Sequence, residues 1–195
     1  MGSQRKLRIS DNGLTELFEK VEQNLIKGLS SKAEKILTDI LEKYNLTADN
    51  KALVEKHLSY TLETLGRYKE SLAVLDKYDY EDLLAKLETE TQIRVLNQLA
   101  ISLSNTNGNP KAVTLLNYSL EIATKEDLTH FFGEIYVLIA RVYRKLNEYQ
   151  ISRDNANKGL TCYREQGSWL GMAHSYHTIA MTYHCLLYTS PSPRD

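Results

Sequence analysis

The chain has 195 residues, 42% of them hydrophobic and 25% charged, with a formal net charge of -1. That is ordinary for a globular protein with one real core, and it gives no overall field to gather nucleic acid. No apolar run approaches the ~18 residues of a membrane span, and the opening MGSQRKLRISDNG lacks the apolar stretch of a secretory signal.

Residues 1–11 are polar and basic and are expected to be mobile. Leu14, Leu17, Phe18, Val21 and Leu25 then recur at three- and four-residue spacing, which predicts an amphipathic helix ending near Gly28. Ser31 and Glu34 have capping-box spacing and predict the start of a second helix, with a stripe from Ala33 to Tyr44. A third carries Val54, Leu58, Leu62 and Leu65 and stops at Gly66. A fourth starts at Tyr68 and fades by Tyr80. Residues 82–104 form the longest helical stretch, and its first turns around Leu83 to Leu87 can separate as a short helix. Asn105–Asn109 breaks it, and Pro110 suits the first turn of the next helix. Asp127 is placed as the cap of a helix with Ile135, Ile139, Val142 and Tyr143 on one face. Its partner carries Tyr149, Ser152, Ala156, Gly159 and Tyr163. Ser168 is placed as the cap of a ninth helix.

These helices repeat. Ser59, Ala100, Ala140 and Ala180 are small and stand 41, 40 and 40 residues apart. On the partner helices Ser71, Ala112 and Ser152 follow the same register, each twelve residues after the first small position. Ser119 and Gly159 add a third small position 40 apart. Small residues at fixed places let helices approach closely. Tyr68, Tyr143 and Tyr149 recur in phase and are read as core.

The Leu65-Gly66-Arg67-Tyr68 turn and the small-residue pairs resemble the tetratricopeptide repeat (TPR) family, in a long-period form of about 40 residues like that of bacterial signalling proteins. The resemblance implies an all-α, right-handed superhelical solenoid of antiparallel helix pairs, about nine helices in all, with a truncated last repeat. It covers residues 12–184, in approximate units 12–45, 49–79, 82–124, 127–166 and a half repeat 168–184. Residues 185–195, CLLYTSPSPRD, resemble one reading frame of a sequencing-library adapter and are expected to be a non-native tail, which places His184 itself in question.

By that resemblance the first helix of each pair lines a concave groove. Its partner-binding residues are then Lys56, Tyr60, Arg94, Asn97, Gln98, Arg141, Arg144, Lys145 and His177. Arginine forks onto carboxylates, and the side-chain amides can bond a peptide backbone, so the expected occupant is an acidic peptide or partner segment. The competing reading of the cations is a solvated helix face.

The resemblance thus implies a protein-interaction scaffold or sensory module of a larger bacterial signalling protein, not an enzyme, and without cofactor. A nucleic-acid-binding helical repeat is the alternative, disfavoured because the groove positions change from Tyr60 to Ile101 to Arg141 and the net charge is slightly acidic. A third reading makes the chain a fragment of an enzyme whose catalytic domain lies elsewhere. His174, His177 and His184 share a face but have no cysteine or acidic neighbour, so no metal site is assigned. Cys162 is read as a packing residue, and Trp169 as packed between repeats. Sparse cysteines fit a reducing cytoplasm, and no membrane or small-molecule partner is inferred.

Overall fold

The computed structural model describes residues 6–189. Residues 1–5 of the expected mobile segment and 190–195 of the adapter-like tail lie outside the described residues. The chain divides into two compact units, one up to Thr106 and one from Asn107.

The first unit begins with a two-residue strand β1, Leu7–Arg8, paired in parallel with β2, Tyr44–Asn45. Lys6 donates from Nζ to the Leu41 carbonyl at 2.7 Å. Backbone pairing thus begins inside the segment expected to be mobile. Helix α1 spans Asp11–Ile26, with the Ser10 hydroxyl accepting from the Gly13 amide at 3.1 Å. Helix α2 spans Ser30–Lys43 and starts earlier than the capping box predicts. Leu29 stands at its cap without a side-chain bond. Glu34 is taken instead by Arg67, whose guanidinium donates to it at 2.7 Å and to Glu70 at 2.6 and 2.7 Å. The stripe of α1 closes on that of α2: Leu14, Val21, Ala33, Leu37, Ile40 and Val54 form a buried cluster, with Phe18 and Leu58 against it.

Helix α3, Ala48–Thr64, is capped by the Thr47 hydroxyl. Helix α4 runs over Tyr68–Leu75 and tightens into a 3₁₀ turn at Asp76–Asp79. A short α5, Glu81–Leu84, separates from α6, Thr89–Asn105. In the second unit α7 covers Asn109–Lys125 with Pro110 in its first turn. A 3₁₀ turn at Thr129–Phe131 leads into α8, Phe132–Lys145. Helices α9, Tyr149–Glu165, and α10, Trp169–Thr189, complete it. Ser168 does cap α10, its hydroxyl accepting from the Gly171 amide at 3.2 Å. Asp127 does not cap α8. It has φ 53° just beyond the end of α7 and terminates that helix instead. Helix α10 continues through Thr189, past the boundary expected at residue 184.

The register is written in the backbone as well as in the small residues. Positive φ falls at Gly66, Asn107 and Asn147, just past α3, α6 and α8 and 41 and 40 residues apart. It falls again at Asp127 and Gly167, just past α7 and α9 and 40 apart. Glycine, asparagine and aspartate tolerate the left-handed conformation that ends a helix, and a bulky side chain there would be strained. Ser59, Ala100 and Ala140 are fully buried, as are Ser71, Ala112, Ser119 and Ser152. Ala180, in phase with them, is exposed, because no helix covers that side of α10 among the described residues.

The small serines do more than fill space. The hydroxyls of Ser59, Ser71 and Ser102 form a buried triangle with edges of 2.9, 3.1 and 2.8 Å. Glu63 accepts from Ser102 at 2.8 Å and from Ser71 at 3.1 Å. In the second unit Ser152 bonds Thr182 at 2.9 Å. Ser102 and Thr182 are 80 residues apart, so a hydroxyl on the following helix meets the partner-helix serine at both places. Each pair satisfies polar groups that would otherwise cost about 1–3 kcal/mol to bury.

Candidate partner-binding surface

In the first unit α3 presents Lys56, Tyr60 and Glu63 at helical spacing. Tyr60 is exposed, whereas Lys56 and Glu63 are half-buried. Arg94 on α6 is exposed and pairs with Glu90 one turn earlier at 3.1 Å. Between them lies His57, stacked on Phe18 with ring centroids 4.7 Å apart. Its pKa is lowered to about 3, chiefly by burial and further by the cationic Lys56 and Arg94. This imidazole is therefore neutral across the physiological range.

Asn97 and Gln98 are not surface groups. They are only 1% and 3% exposed, which corrects their placement on a groove. The reason is register: 40 residues on, the same positions hold Val137 and Leu138, both buried. Ser102 donates to the Gln98 carbonyl, while the Gln98 Nε2 group has no hydrogen-bond partner. Two amides thus occupy sites that the neighbouring repeat fills with aliphatic side chains.

In the second unit α8 carries the clearest charged stripe. Glu134, Arg141 and Lys145 are exposed at i, i+7 and i+11, which is one face of a helix. The opposite sides bury Ile135, Leu138, Ile139, Ala140 and Val142. Arg144 is half-buried, with its Nε enclosed and unpartnered, so packing holds its stem more than solvent does. His177 is exposed on α10, with His174 and His184. Groups of three or more metal-ligating side chains do not occur among the described residues. Tyr68 and Trp169 are 44% and 83% exposed, which corrects their reading as packed residues. Trp169 opens α10, and the side of that helix it lies on has no neighbour. Cys162 is partly buried, and burial raises its thiol pKa away from the reactive thiolate.

No described helix is long and apolar enough to cross a membrane. The arrangement is therefore a scaffold of packed helices with a cationic stripe on α8 and an aromatic end on α10.

Neither a family model nor a curated protein sequence matches the chain. Solved structures do. The nearly identical TPR-like repeats of a Podosopora anserina kinesin light chain structure align over 90% of this chain and 88% of that one, with TM-score 0.64 at 15% identity. BtubC from P. vanneervenii aligns over 93% and 84%, with TM-score 0.60 at 12% identity. The apo form of RapI aligns over 88% of this chain but only 48% of its own, with TM-score 0.60 at 15% identity. The chain thus has an all-α, TPR-like helical-repeat fold.

Proposed function

We propose that the chain is a protein-interaction scaffold that holds an acidic peptide or partner segment on the first helices of its repeats. The observation that carries this reading is the exposed Arg141–Lys145 stripe on α8, set in a TPR-like fold. A rigid helix face with two cations one turn apart offers a carboxylate-rich segment paired contacts at little ordering cost to the scaffold. Lys56, Tyr60 and Arg94 supply a second such surface in the first unit, and His177 a flanking polar group. Asn97 and Gln98 are set aside because they are buried. The same stripe suits a regulatory module of a larger cytoplasmic signalling protein better than a catalyst, since no nucleophile–base pair accompanies it.

The test is fluorescence anisotropy with a labelled glutamate-rich peptide and a lysine-rich control. Saturable, salt-sensitive binding of the acidic probe alone supports the proposal. Equal binding of both probes, or of neither, contradicts it.

A further inference from the structure

Helix α8 is buried on two sides and α10 on one. On α8, Ile135, Leu138 and Val142 lie on one buried side, and Gly133, Val137 and Ala140 on the other. Gly159 of α9 sits over the second side. A Cβ built there would stand 2.8 Å from Val137 Cγ2 and 3.0 Å from the Gly133 carbonyl oxygen. On α10 the first side is filled in register: Gly171, Ser175, Thr178 and Thr182 are buried. The second side is bare. Ala173, His177 and Ala180, in phase with Gly133, Val137 and Ala140, are all exposed. Trp169, Tyr176 and Tyr183 flank them at 83%, 54% and 47% exposure. Arg164, Trp169, Met172, Ala173 and Tyr176 line a concavity of about 590 Å³ at the head of this face.

We propose that this face of α10 is a docking site for one amphipathic α-helix whose inward stripe is small, with glycine or alanine where α9 has Ala156 and Gly159. The established α8–α9 interface continues by one 40-residue step onto α10, and that continuity defines the occupant. Ala173 replaces Gly133, so only a glycine-bearing helix reaches the same separation. Ala180 leaves the room that Ala140 leaves for α9. Helix α10 contains no aspartate, glutamate, lysine or arginine, so the rim offers aromatic rings and imidazoles to the flanks of the incoming helix. The site is distinct from the α8 stripe, and its failure would leave the acidic-peptide reading intact.

The chain supplies its own probe. Residues 186–195 are replaced by a copy of residues 146–166, which puts a second α9 sequence 40 residues after the first. Tethering gives the helix a high effective concentration, so weak intrinsic affinity cannot hide docking. Trp169 is the sole tryptophan. Gln166 of α9 already reaches the Thr129 carbonyl, the position in phase with Trp169. The expected result is a blue-shifted Trp169 emission and a Tm higher by roughly 5 °C. A180E in the extended chain should abolish both changes, while in the parent chain, where Ala180 is exposed, it should leave Tm unchanged. An extended chain with unaltered emission and Tm overturns the proposal. So does a parent chain that dimerises and is dispersed by A180E, because a second copy would then be the occupant.

Discussion

The ring of Tyr163 on α9 lies over Gly171 of α10 where no Cβ can stand, and its other side meets Gly133 of α8, where a Cβ would come within 2.9 Å of the ring. Neither glycine has the positive φ that would otherwise explain it. Close approach alone requires them. G171A should therefore destabilise the chain by about 2 kcal/mol of overpacking, although alanine is the better helix former by about 1 kcal/mol. Y163A should relieve that penalty in the double variant. Urea midpoints of the four-member cycle check it: additive losses would mean that ring and glycine do not compete for the same space.

The serine triangle makes a graded prediction. S102A removes the hydroxyl that meets Ser59, Ser71 and Glu63 and should lower stability by about 1–2 kcal/mol. S102L drives a branched side chain into a fully buried contact and should cost about 3 kcal/mol. Equal midpoints for the two variants would show that the crossing tolerates volume and that the hydroxyl network alone sets the cost.

His57 predicts the acid limb of the stability curve. Its folded pKa of about 3 lies below the ordinary value of 6.5, so between these limits the unfolded chain binds a proton that the folded chain does not. Stability contributed by the neutral imidazole is complete above pH 6.5 and is lost as pH falls toward 3. Replacing His57 with Phe keeps a ring against Phe18 and removes the titration. The midpoint of H57F should fall less than that of the parent between pH 6.5 and 4. Parallel pH profiles would contradict the assignment.

Much of this architecture is legible in the residue pattern, and the failures have physical causes. The 40-residue register located Ser59, Ser71, Ala140 and Ser152, all buried, and the breaks at Gly66 and Pro110. It pointed to Ala100 and not to Ser102, because two small residues a half-turn apart are equivalent on spacing and only contact separates them. Asn97 and Gln98 misled because polarity suggested an outward face, whereas register alone would have grouped them with Val137 and Leu138. Ser31 has the chemistry of a cap, but the chain enters α2 earlier, and Glu34 is drawn to Arg67. The Tyr163 contact depends on which way one ring turns, which spacing does not encode. Arg141 and Lys145 were placed outward correctly because their helix has a full aliphatic stripe to fix its orientation.

The most direct measurement of the account is the affinity of the R141E/K145E variant for the labelled glutamate-rich peptide. Both side chains are exposed, so the variant should keep the parent's helical signal and Tm. Loss of the paired carboxylate contacts should weaken binding by at least ~10-fold, with a shallower salt dependence. Undiminished affinity in a folded R141E/K145E chain would contradict the assignment of α8 as the partner-binding surface.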